Sequence, residues 1–288
     1  EDLLIVNKPK HMVVHPSAGH TSGTLVNAVM YHCKESLSGI NGEIRPGIVH
    51  RIDKDTTGSL IVCKNDESHV CIAEQIKEHS IRRIYRGIVS GNLKEQEGRI
   101  EGNIGRHPTD RKKMAVLSQG GKPAITHYKV LQQWNHAAYM EFRLETGRTH
   151  QIRVHMASIG HPLLGDTVYG NAKNPYRLEG QTLHAMTIGL MHPRTQTYME
   201  VSAPLPGYFQ SLIKKLNQNY NNSKIKEGEY SWCPSTVRNI LKNDIYIGNI
   251  TQGKRRVKSY KVHRVEQVPE DEWITVENMH EPIIDKEI

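Results

Sequence analysis

The stretch His50-Arg51-Ile52-Asp53-Lys54-Asp55-Thr56-Thr57-Gly58 runs almost directly into Leu60-Ile61-Val62-Cys63. This junction constrains the chain more than any other. Four successive apolar residues with no polar break read as a buried strand. Thr56-Thr57-Gly58 in front of them reads as a tight turn. Three charged or titratable groups, His50, Arg51 and Asp53, therefore sit on a loop whose geometry a rigid strand sets. Taken alone, the cluster also fits a solvated turn capped by threonine.

The remaining pattern alternates short strands and helices. Leu3–Val6 reads as a strand ending at Asn7-Lys8-Pro9, and Val13-Val14-His15-Pro16 as a short extended piece. Thr24 is placed to cap a helix over 25–33. Asp66 opens a helix reaching His79, followed by a strand over 82–91 with Tyr85 and Gly87 on one face. Arg99–Ser118 is basic and irregular, predicting strand fragments joined by loops. Ala124–Leu131 and Ala138–Glu145 predict a pair of antiparallel strands. Thr149 is expected to cap a helix to Ile159, with Ile152, Met156 and Ile159 toward the core and Arg153 toward a cleft or solvent. Leu163 to Gly170 reads as a turn-rich loop. Leu183–Leu190 and Tyr198–Val201 read as strands, and Pro206-Gly207 precedes a short helix through Leu216.

Charge is unevenly spread. Of 38 Lys+Arg and 30 Asp+Glu, residues 217–288 hold 11 of each, so the whole excess of eight lies in 1–216. A basic body points to a polyanion such as nucleic acid, or to solubility charge. Mean hydropathy is −0.57 and no apolar run approaches a membrane span, so no membrane partner is expected. Four scattered Cys with no C-x-x-C pair argue against a zinc ribbon and fit reduced thiols in a cytoplasm. His150, His155 and His161 lack the spacing of a helical metal pair, so neither metal nor cofactor is expected. The chain opens on Glu1-Asp2-Leu3-Leu4 without an initiator Met and reads as a piece of a longer frame.

Four stretches, in order, resemble the RluA/RluD-like pseudouridine synthases. They are Leu4–Pro9 with Val13–Pro16, His50–Gly58, Arg83–Gly91, and Gly147–His155. The resemblance covers roughly residues 1–216. It implies isomerisation of RNA uridine, expected in ribosomal RNA: the N1–C1′ bond breaks, the uracil turns, and a C5–C1′ bond forms. It also implies the roles. Asp53 is the expected nucleophile, although a carboxylate can equally stabilise an electron-poor sugar carbon or take a proton from it. Arg153 is the cation that pairs with Asp53, and Tyr85 offers a ring for uracil and a phenol for proton transfer. Arg51 is expected to fill the gap left by an extruded base, with His50 and Arg148 as further RNA contacts. On its residues alone, His50 reads as a structural hydrogen-bonding group, Tyr85 as a core aromatic and Arg153 as a surface cation. Many relatives carry an S4-type RNA-binding domain, which is not visible before Glu1.

Residues 217–229 are polar and predict a linker. Trp232–Gly248, with Trp273 and His280–Ile284, resembles the DNA-contacting domain of large serine recombinases, whose catalytic serine domain is absent. The expected organisation is a catalytic domain (1–216), a linker (217–229) and a partial recombinase-like domain (230–288), the last a small α/β fragment able to contact DNA. The expected fold of the first is α+β: a mixed, mainly antiparallel sheet with flanking helices around a cleft, acting as a monomer. The rival reading is a non-catalytic nucleic-acid-binding fusion protein.

Overall fold

The computed structural model describes residues 1–16, 19–34, 36–42, 45–110, 112–170, 174–226, 249–252, 254–257 and 265–279. The chain divides into two compact units, residues 1–221 and 222–288.

The first unit is built on a nine-stranded sheet. Its elements in chain order are β1 (Leu3–Lys8), α1 (Leu25–Cys33), β2 (Thr57–Cys63), α2 (Asp66–Lys77), β3 (Arg82–Ser90), β4 (Glu97–Arg106), β5 (Met114–Leu117), β6 (Lys122–Trp134), β7 (Ala137–Leu144), α3 (Gln151–Ser158), β8 (Leu183–Met191), β9 (Tyr198–Ser202) and α4 (Gly207–Lys226). The strand order is β1-β2-β8-β3-β7-β6-β4-β5, with β9 also pairing β8. Every pairing is antiparallel except β2 with β8. This is the mixed, mainly antiparallel α+β architecture expected from the sequence.

The apolar run in β2 has a simple cause: both faces of the sheet are covered there. Leu60 and Val62 join a core with Tyr85, Met140, Phe142, Ile152 and Met156. Ile61 and Cys63 point the other way, into a cluster with Ile72 of α2 and Ile188 and Leu190 of β8. A third cluster sets Phe209, Leu212 and Leu216 of α4 against Ile88 and Trp134. Where β2 meets β8, Gly58 stands opposite Ala185. Its φ is +107°, and a Cβ there would lie 2.2 Å from the Ala185 carbonyl oxygen. Only glycine fits a backbone approach that close.

Several local expectations change. Asp66 does open α2, with Asn65 as its cap accepting from the Ser68 N–H, but the helix ends at Lys77 instead of reaching His79. Val13–Pro16 forms no strand; its Val13 and Val14 carbonyls instead accept the first N–H groups of α1. Thr24 does cap α1, within a capping box completed by Asn27. Arg99–Ser118 is more regular than expected: β4 pairs with both β5 and β6. Ile159 is 39% exposed and leaves the core to Ile152 and Met156. The helix expected to stop at Leu216 continues to Lys226, through most of the segment expected to be a linker.

In the second unit, β10 (Ile250–Gln252) pairs with β13 (Ile274–Val276), and β11 (Arg255–Val257) with β12 (Val265–Gln267). Of the recombinase-like stretches, Trp232–Gly248 and His280–Ile284 lie outside the described residues. No helix among the described residues is long and apolar enough to cross a membrane.

Asn217 explains why α4 passes Leu216 without a break. Its Oδ1 accepts from both Trp134 Nε1 and Gln132 Nε2, each at 2.7 Å. Trp134 is 2% exposed, so losing this acceptor strands a buried donor. Asn217→Ala is expected to cost about 1–3 kcal/mol. Urea denaturation checks it, and an unchanged midpoint would show that the bond contributes nothing.

Candidate active site

The 53–56 turn is held from several sides. The Thr56 N–H donates to the Asp53 carbonyl at 3.1 Å, and Thr56 Oγ1 accepts from Gln181 Nε2 at 3.1 Å. Beneath the turn lies Lys8, with no exposed surface. Its ammonium donates to the carbonyls of Pro9 (2.8 Å), Met12 (2.8 Å) and Lys54 (2.9 Å). Burial pushes the Lys8 pKa down to about 8, against the pull of Asp55 and Asp53. The peptide between Lys54 and Asp55 is thus fixed by a buried cation.

Helix α3 presents Arg153 to this turn. It starts at His150, in the left-handed region (φ 58°, ψ 20°), and has no side-chain cap. The expected Thr149 cap is replaced by Gln151. Gln151 Oε1 accepts from the Arg148 N–H (2.9 Å) and the Thr146 hydroxyl (2.8 Å), while its Nε2 donates to the Ile125 carbonyl and Thr126 Oγ1. The start of α3 is thereby pinned to β6.

Arg153 is divided between two carboxylates. Nη1 donates to Asp53 Oδ2 at 3.0 Å; Nε and Nη2 donate to Asp166 Oδ2 and Oδ1 at 2.7 and 2.9 Å. Asp166 Oδ1 also accepts the N–H groups of Val168 and Tyr169. Burial disfavours the charge on Arg153, but the bonds to Asp166 and Asp53 outweigh it and raise its pKa. Burial likewise opposes the Asp166 anion, yet Arg153 and the backbone donors hold its carboxyl below the usual range. Tyr169 braces both neighbours: its ring lies 5.1 Å from the Arg153 guanidinium, and its hydroxyl meets His150 Nδ1 at 2.8 Å. His150 Nε2 lies 3.8 Å from Asp53 Oδ1.

A cleft opens over this group. Asp53, Tyr85, Arg51, Arg148, His150 and Arg153 line it, with Leu144, Ile152 and Leu183 as apolar walls. Tyr85 is 9% exposed and belongs to the core as well as to the cleft. Burial raises its pKa, Arg83 opposes the shift, and Asp53 adds to it. The phenol is therefore held protonated.

Of the other expected RNA contacts, Arg51 and Arg148 line the cleft and His50 does not. Arg51 is exposed at the rim, with Nη1 3.4 Å from His15 Nε2. Arg148 reaches the Pro123 carbonyl through Nε at 2.9 Å. His50 Nε2 accepts the Ile61 N–H at 2.9 Å, so its ring serves the second half of β2. Burial, with Arg83 nearby, pushes His50 down to about 4. His150, His155 and His161 go to separate partners: Tyr169, Thr126 and the Ser90 carbonyl. The sequence reading passed over Lys8, Gln151 and Asp166 as site residues. The signals were a lysine closing an apolar strand before proline, and Gly165-Asp166 following Leu163-Leu164.

Residues 2–158 match the family model described as RNA pseudouridylate synthase, and residues 206–288 match one described as Recombinase. A ribosomal large subunit pseudouridine synthase D of Zymomonas mobilis is 50% identical over 224 residues, covering 75% of this chain and 70% of that protein. An RNA pseudouridine synthase of Bacillus subtilis is 50% identical over 219 residues, covering 76% and 71%. The solved structure of human RNA pseudouridylate synthase domain containing 1 has a TM-score of 0.59 at 24% identity, covering 75% of this chain and 91% of that one; it shares the fold.

His50 gives the acid stability a defined slope. Its pKa of about 4 in the folded chain lies below the 6.5 of a free imidazole. Between these values the unfolded chain holds the proton and the folded chain does not, so stability falls as pH drops through this window. His50→Gln retains a side-chain acceptor for the Ile61 N–H without titrating. Its stability-against-pH curve between about 4.5 and 6 is expected to be shallower than the parent's by up to about one proton. Parallel curves, measured by urea denaturation, would place the proton uptake elsewhere.

Proposed function

Because the chain belongs to the RNA pseudouridylate synthase family, we propose that it converts a specific uridine of ribosomal RNA to pseudouridine with Asp53 as nucleophile. The name of the Zymomonas relative supports the ribosomal substrate. The observation that carries the assignment of Asp53 is its 3.0 Å bond to Arg153, whose other two donors are locked onto buried Asp166.

The chemistry follows from that sharing. One guanidinium between two carboxylates leaves the trio with a net negative charge, so Asp53 is oriented without a private counterion. Its carboxylate oxygen bonds to C1′ as the N1–C1′ bond breaks, and the electron pair remains on the uracil. The uracil turns, C5 bonds to C1′ and the carboxylate is released. A proton leaves C5 and one is gained at N1, so atoms balance without a cofactor. Tyr85, held protonated, packs against the uracil and donates a hydrogen bond to its developing negative charge. Arg51 at the rim fills the space left by the extruded base.

Asp53→Asn preserves shape and removes the anion. Single-turnover conversion of uridine in a ribosomal stem-loop is expected to fall by about a thousandfold or more. RNA affinity should stay within about threefold, because phosphate contacts come from other residues. Asp55→Asn is the control: Asp55 pairs with His11 at 2.8 Å, outside the cleft lining, and its loss should leave conversion near the parent's. A dead Asp55→Asn or an active Asp53→Asn would refute the assignment.

Asp166→Asn releases Arg153 from its anchor and is expected to lower conversion by about a hundredfold at unchanged RNA affinity. Parent-like conversion would show that Arg153 needs no anchor. A chain ending at Lys226 keeps the whole constellation. It is expected to convert uridine as the full chain does; loss of conversion with folding retained would bring the remaining residues into the active unit.

A further inference from the structure

Two surfaces outside the cleft gather cations, and they differ in how those cations are paired. Over β3, β7, β6 and β4, Arg86 meets Glu141 at 2.8 Å, Arg82 meets Glu200 at 3.1 Å, Arg99 meets Glu101 at 2.6 Å and Lys129 meets Glu97 at 4.0 Å. Each of these four cations is paired with a carboxylate.

The second is a groove of about 490 Å³ between the turn after β1, the 176–179 loop and the first turns of α4. Lys10, Arg177 and Lys215 line it, and among the described residues no carboxylate lies within ion-pairing distance of any of them. Glu179 also lines the groove; it and Asp55 pair with His11, at 3.3 and 2.8 Å, and attract Lys10 only at longer range. Two aromatic rings complete the lining. Lys10 Nζ lies 4.3 Å from the centre of the Tyr208 ring, and Lys215 Nζ 5.7 Å from that of Tyr176. Cations without carboxylate partners, interleaved with aromatic faces, match the demands of single-stranded nucleic acid: phosphates take the charges and bases stack on the rings.

The groove shares a wall with the catalytic cleft. Lys10 Nζ donates to the Gly180 carbonyl at 3.4 Å, and a Cβ on Gly180 would lie 2.8 Å from Asp55. The next residue, Gln181, holds Thr56 on the cleft side.

We propose that the groove is a second RNA subsite, holding the single-stranded nucleotides that flank the target uridine, with backbone phosphates on Lys10, Arg177 and Lys215 and a base against Tyr176 or Tyr208. The proposal rests on RNA being the substrate, as argued above. It explains why part of the positive excess lies away from Asp53.

The test uses the full chain and two synthetic ribosomal stem-loops, one bare and one with single-stranded flanks on both sides. Lys10→Gln/Lys215→Gln is compared with the parent, and Lys129→Gln, which loses a lysine paired with Glu97 on the first surface, is the control. On flanked RNA, the slope of log affinity against log salt should shrink in the double variant by about 1.4, near 0.7 for each lost single-strand contact. On bare RNA it should not change, and single-turnover conversion at saturating RNA should stay within about twofold in both. Lys215→Glu alone, at an exposed position, should weaken binding to flanked RNA and guards against a folding defect at Lys10. Equal slopes for parent and double variant on flanked RNA, or equal losses on both RNAs, would overturn the subsite. If the parent converts neither RNA, the assignment of activity fails instead, and the slopes still decide whether the groove binds the flanks.

Discussion

Arg153 has side-chain exposure of only 6%, and Asp166 of 0%. Burying charges this deeply costs several kcal/mol per ion unless geometry and hydrogen bonds compensate. Here they do: the guanidinium spends two donors on Asp166, one on Asp53 and one face on the Tyr169 ring. Three segments distant in sequence are thereby joined: the 53–56 turn, α3 and the loop after Leu163. None of them can shift without stranding a buried charge. The candidate site is precise because mispositioning any part of it is expensive.

Lys8 does for the backbone what Arg153 does for the side chains. An ammonium with three carbonyl acceptors fixes the Lys54–Asp55 peptide, one residue past Asp53. Gly58 then admits the Ala185 carbonyl against the main chain, so β2 leaves the turn in one direction only. Asp53 is thus followed by two rigid points, at Lys54 and Gly58, while its carboxylate stays partly open to the cleft.

The parts of the fold and candidate site that could be read from sequence were those whose causes are local. The turn and strand from His50 to Cys63 are contiguous, and Thr24 with Asn27 marks the start of α1 within four residues. The placing of Arg153 beside Asp53 came from the resemblance, since residue type alone left Arg153 a surface cation. What stayed hidden depends on chain reversals. Lys8 bonds a carbonyl 46 residues away, and Asp166 reaches Arg153 only because the chain folds back after α3. The polar run after Leu216 reads as a linker because Asn and Ser favour helices weakly. Phe209, Leu212 and Leu216 bury one face of α4, and Asn217 finds two donors, so tertiary contacts carry the helix on.

The lone parallel pairing, β2 beside β8, has a kinetic meaning. Thr57 and Gly58 meet His184 and Ala185, more than 120 residues later. Such a contact closes a very long loop, and long loops close late in folding. As the chain emerges from synthesis, β1 and β2 can form their antiparallel pair early, but the turn bearing Asp53 lacks its second wall until β8 has been made. The carboxylate acquires its fixed setting only when nearly all of the first unit is present, so a partly made chain carries the charged loop without the machinery around it.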